Sequence, residues 1–135
     1  MPFAVQTELQ SLDAPPQVRK WISSPPAWLE VHEVPAHSFD DTSLRSLDKG
    51  EREAIELAAT LPTDTLLLID DREGVKAALR KGLDITGTIG ILDLAAKRGL
   101  LDLAAAFDQL RQTNFHRPEK LMERMLAEQK SKGQP

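Results

Sequence analysis

The sequence predicts an α/β fold with a short parallel sheet and helices on both faces. Three observations carry this. The run TLLLID (65–70) is short, continuous and apolar, the pattern of a strand buried on both faces. Helical stretches stand on either side of it, GEREAIELAATL before and DREGVKAALRKG after. Strand-like and helix-like segments alternate through the middle of the chain, as they do in parallel α/β sheets.

The elements follow in order. FAVQTELQSL spaces Val5, Leu9 and Leu12 as one helical face. Pro15 and Pro16 end it and open a second helix, PPQVRKWIS, because proline fits a first helical turn. SSPP (23–26) breaks the chain again. WLEVHEV (28–34) alternates in polarity and predicts a short strand near an edge. Residues 35–49 are loop-like. The helix from Gly50 carries acids in its first turn, where the helix dipole favours them, and stops before Pro62. The helix after TLLLID stops at Gly82, a good left-handed terminator. ITGTIG predicts a third strand. GILDLAAKRGL and LDLAAAFDQLRQ predict two helices parted by Gly99, and PEKLMERMLAEQK a last one. One domain is expected over 1–130, with residues 131–135 as a frayed tail.

Composition narrows the function. The 135 residues are 41% hydrophobic and 28% charged, ordinary for a globular chain. A net charge of −4 argues against holding nucleic acid by bulk electrostatics, though not against meeting it through bound cations. Without cysteine there is neither a disulfide framework nor a thiolate metal site. No apolar run approaches the ~18 residues of a membrane span, and MPFAVQTELQ does not read as a secretory signal. The expected location is cytoplasmic.

The acids raise the chemical question. Asp70 and Asp71 end the most apolar strand, where ligands bind in open α/β sheets. Glu51 opens the helix before that strand, and a helix antiparallel to the strand brings the two together. Several carboxylates in one place need a counter-charge, and hard oxygen ligands suit Mg²⁺ or Mn²⁺. The competing reading is plain helix capping, with Asp70 closing the first turn of the helix that begins near Arg72.

Taken together, GEREAIELA, LLLIDDREGVKAA and ITGTIGILDLAAKRGLL resemble a PIN-domain subgroup with the pattern G-E-x-E-A-I, L-L-I-D-D-R and T-G-T-x-G-x-L. The opening MPFAVQTEL is similar to the subgroup's V-P-x-x-V-x-x-E-L segment, so the resemblance runs from Met1 to about residue 126. It implies a three-layer α/β sandwich and a nuclease that uses Mg²⁺ or Mn²⁺. It also implies a ribonuclease toxin with an antitoxin partner as one possible role. The residues it marks are Glu8, Glu51 and Asp70 or Asp71 as metal-holding and catalytic acids. Thr86, Gly87 and Thr88 match the small-residue turn near the site, for which a turn requirement competes with a role in holding a metal-bound water.

One part of the family pattern has no match. The first acid, an aspartate ending the first strand, belongs before the segment where the resemblance starts. DDTS at 40–43 looks similar, but it follows Glu8 and no buried strand precedes it, so Asp40 and Asp41 read better as loop or cap. A reading frame that starts late, with about 25–30 further residues expected upstream, would account for the gap; a degenerate or split domain is the alternative. Either way the site is expected to be impaired as it stands.

Other features carry less. His32, His37 and His116 are scattered, without zinc spacing. Arg72, Lys76, Arg80 and Lys81 gather after the acid pair and could steer a phosphate backbone, although a solvated face explains them as well. Leu121, Met122, Met125 and Leu126 form a stripe that is core or a seat for a second subunit. Trp21 and Trp28 read as packing anchors. The expectation is a metal-dependent ribonuclease, with an RNA substrate, an antitoxin and a second copy of the chain as its candidate partners. The rival is a catalytically inactive PIN-like module for protein binding or dimerisation.

Overall fold

The structure is a computed structural model, and it describes residues 1–35 and 42–133. His37, Asp40 and Asp41 lie outside the described residues. The fold is mixed α/β: seven α-helices among the described residues, and a two-stranded parallel sheet. The chain divides into two compact units, Met1–Ile85 and Thr86–Pro135.

The first unit holds α1 (Phe3–Gln10), α2 (Pro16–Ser23), α3 (Lys49–Thr60), β1 (Leu66–Leu68) and α4 (Arg72–Arg80). Helix α3 is its centre and packs on α1, β1 and α4. Leu44, Leu47, Ile55, Ala58, Leu67, Ile69, Ala77 and Ala78 form the core. Helix α4 stops where expected: Lys81 is its C-cap and Gly82 follows with φ of 71°, a conformation glycine takes at no steric cost. Strand β2 (Asp84–Thr86) pairs with β1.

Several expectations change here. Residues 28–34 form no strand. Only a parallel bridge between Pro2 and His32 survives, held by Phe3 N–H donating to His32 O (2.9 Å) and His32 N–H to Met1 O (2.9 Å). The alternation of WLEVHEV buries little: Trp28 is 75% exposed, and Trp21 is also exposed, so neither tryptophan is a buried anchor. Leu12 falls outside α1, which ends at the Ser11 C-cap, and is exposed. Strand β1 is not buried on both faces. Leu67 is buried, but Leu66 and Leu68 are 45% and 60% exposed. The strand expected over ITGTIG is β2 and stops at Thr86, because Gly87 already caps the next helix.

The second unit holds α5 (Thr88–Lys97), α6 (Leu103–Arg111) and α7 (Glu119–Lys132). Gly99, with φ of 71°, turns the chain between α5 and α6. Ile89, Leu103, Phe107 and Met122 form its core, and Leu121, Met125 and Leu126 pack against them. The methionine stripe of α7 is therefore built around a core residue. Helix α7 continues to Lys132, past the expected stop at Lys130. No helix among the described residues is long and apolar enough to cross a membrane.

Candidate functional site

The four acids that sequence reasoning singled out line one open cleft of about 250 Å³ in the first unit. Its walls include Val5 and Glu8 from α1, Gly50, Glu51 and Ala54 from α3, and the end of β1 from Leu68 to Asp71. Each acid arrives by a local rule. Glu8 rides on α1. Glu51 is the third residue of α3 and accepts a hydrogen bond from the Asp48 backbone N–H, which is half of a capping box. Asp71 is the N-cap of α4 and accepts from Gly74 N–H at 2.8 Å. The capping role anticipated for Asp70 thus falls to Asp71, while Asp70 lies exposed at the cleft wall.

Capping explains where the acids stand but not the charge around Glu51. Burial holds the Glu51 carboxyl above its ordinary pKa of 4.5, and the charges of Asp48, Asp71 and Glu8 push it the same way; the Asp48 amide opposes them. Glu51 therefore sits in an excess of negative charge. Hard carboxylate oxygens in that setting match the chemistry of a divalent cation. The side chains line the cleft without converging: among the described residues, no three acids or histidines stand close enough to form a ready-made metal site.

Glycine matters at one wall. A Cβ on Gly50 would lie 2.4 Å from Glu8 Oε1, so the Glu8 carboxyl packs flush on the first turn of α3. Sequence reasoning missed this contact, although the glycine of G-E-x-E was visible. It also missed Asp48, whose D-x-x-E spacing with Glu51 is a capping-box pattern.

The remaining residues are described on their own elements. Arg72 and Lys76 are exposed on α4, and Lys76 pairs with Glu73 at 3.1 Å, the behaviour of a solvated face. Thr86 and Thr88 belong to the second unit. A Cβ on Gly90 would lie 2.1 Å from Thr86 Oγ1, so the threonine hydroxyl fills the space that glycine leaves. Thr88 opens α5 beside a groove shared with α6. Gly87, as the α5 N-cap, meets the turn requirement.

A family model described as a PIN domain matches residues 1–131. No curated protein and no solved structure matches the chain significantly.

Proposed function

The chain belongs to the PIN-domain family, a nuclease-like fold generally dependent on divalent metals, and from that premise we propose that it is a metal-dependent ribonuclease whose site is the cleft of Glu8, Glu51, Asp70 and Asp71. The observation that carries this is the excess of acid at Glu51. A capping box needs one glutamate, yet burial and three further carboxylates surround it. Mg²⁺ or Mn²⁺ would be held by Glu8, Glu51 and the Asp70/Asp71 pair. Once bound, such a cation would activate water and neutralise the charge of a phosphodiester. The protein's own contribution is placement. The Gly74 amide fixes one Asp71 oxygen and leaves the other for the cleft, and the Asp48 amide orients Glu51. Arg72, directly after Asp71, and Lys76 on the same helix would attract an RNA backbone.

The acids line the cleft without converging, so a cation must draw them in, and cleavage is expected to be weak. The partners consistent with this reading are an RNA substrate, an antitoxin polypeptide and a second copy of the chain, in the cytoplasm. A second reading is favoured by the exposed Leu66 and Leu68 on β1: a PIN-like binding or dimerisation module without activity.

A Mn²⁺ titration followed by calorimetry, with cleavage of a labelled RNA measured in parallel, separates the two. Saturable binding that disappears in Glu51→Ala, together with Mn²⁺-dependent cleavage, supports the nuclease. No saturable binding in the unsubstituted chain sinks it and leaves the binding module.

A further inference from the structure

Resting on the nuclease reading above, we propose that Glu53 is the positioning residue for Glu8, because it locks the register of α1 on α3. The side chain of Glu53 is buried, and its Oε2 accepts a hydrogen bond from Ala4 N–H at 3.0 Å, 49 positions away in sequence. Helix α1 has no side-chain cap of its own, since Pro2 stands at its N-cap. Its first-turn amides are satisfied from outside or by the turn itself: Phe3 donates to His32 O, Ala4 to Glu53, and Val5 and Gln6 to Pro2 O. A carboxylate from another helix therefore fills the cap position, at the end of α1 where the dipole favours negative charge.

The spacing then fixes Glu8. Glu8 lies four residues after Ala4, on the same face of α1, and Gly50 lies three residues before Glu53, on the same face of α3. The Glu8 carboxyl packs on Gly50, so closely that a Cβ there would sit 2.4 Å from Oε1. The two contacts, Ala4 with Glu53 and Glu8 with Gly50, are thus about one turn apart on each helix and run in opposite directions. That is one antiparallel register pinned at two points. A slip of α1 by one turn, about 5.4 Å, would remove Glu8 from the cleft. Lys49 Nζ stands 3.9 Å from Glu53 Oε1, but it is largely exposed and contributes little to holding the carboxylate.

The test compares Glu53→Leu, which removes the acceptor, with Glu53→Gln, which keeps it. Three readouts are taken on the full chain: hydrogen exchange of the Ala4 amide, the nuclear Overhauser contact between the Glu8 side chain and Gly50 Hα, and Mn²⁺ affinity by calorimetry. Glu53→Leu is expected to lose Ala4 protection and the Glu8–Gly50 contact, and to bind Mn²⁺ about tenfold more weakly, as outer-shell substitutions do. Glu53→Gln is expected to restore all three to within about twofold. Persistence of the Glu8–Gly50 contact in Glu53→Leu, or an unchanged Mn²⁺ affinity beside a lost amide, overturns the positioning role and leaves Glu53 an ordinary buried cap. If Glu53→Leu does not fold, Glu53→Asp, one methylene shorter, is read against the same outcomes. If the unsubstituted chain binds no Mn²⁺ while the contact still depends on Glu53, the nuclease reading fails and the register lock stands.

Discussion

The first turns of α4 and α6 are built alike and surrounded differently. Asp71 accepts from Gly74 N–H at 2.8 Å, and Asp102 accepts from Ala105 N–H at 2.9 Å, each the third residue beyond its cap. Asp102 is an exposed aspartate that satisfies one orphan amide. Asp71 instead faces the cleft, where its charge acts on Glu51 beside Asp48 and Glu8. The lesson is that a capping hydrogen bond does not decide between a structural and a functional acid. What sets Asp71 apart from Asp102 is the surplus of charge beyond the cap.

The largest expected difference between the two turns is in chemistry. Asp71→Asn keeps a side-chain acceptor for Gly74 and should lower Mn²⁺-dependent RNA cleavage at least roughly tenfold, whereas Asp102→Asn should leave it unchanged. Equal rates in the two variants would erase the distinction. Next comes packing. The capped residue of α6 already carries a Cβ, but a Cβ on Gly74 would lie 2.6 Å from the buried Ile69 Cδ1. Gly74→Ala should therefore lower stability by about 1–2 kcal/mol, after the helix propensity of alanine offsets part of the clash. Urea unfolding measures it, and a stabilised variant would show that Ile69 repacks freely. Asp102→Ala should cost about 1 kcal/mol in the same experiment, with no effect on cleavage.

The smallest effect concerns pH. The pKa of Glu51 is raised, so the folded chain holds that proton more tightly than the unfolded chain does. The stability it lends is present below the ordinary 4.5 and is lost as pH rises through the raised value. Glu51→Gln keeps an acceptor for the Asp48 amide and removes the charge. It should melt roughly 1–3 °C higher at pH 7.5 and no higher at pH 4. A gain of equal size at both values would assign the effect to packing.

These comparisons also mark what could be read in the chain. The helices were legible because their signals are local: Pro16 opens α2, Pro62 follows α3, and Gly82 and Gly99 take the left-handed turns that end α4 and α5. Glu51 and Asp71 were legible because they stand at element ends, where side chains must do something. The strand expected over 28–34 failed because alternation records polarity and not pairing, and the segment pairs with the start of the chain through one bridge, at His32, beside the Met1 ammonium on Glu30 O. Two-sided burial failed for β1 because four consecutive apolar residues look the same whether one face or both are covered; Leu66 and Leu68 are not. The contact of Glu8 with Gly50 and the bond of Ala4 to Glu53 join residues more than 40 positions apart, and they exist only once α1 lies on α3.

The bare side of β1 has a further consequence, for solubility. TLLLI is short, rich in apolar residues and without charge, which is the composition of a segment that stacks with copies of itself when exposed. Asp64 stands immediately before it, and Asp70 and Asp71 immediately after. Charges in those flanking positions act as gatekeepers, since repulsion between stacked copies opposes growth of the sheet. Asp70 and Asp71 would thus oppose stacking as well as line the cleft, and neutralising both is expected to raise self-association, measured by light scattering.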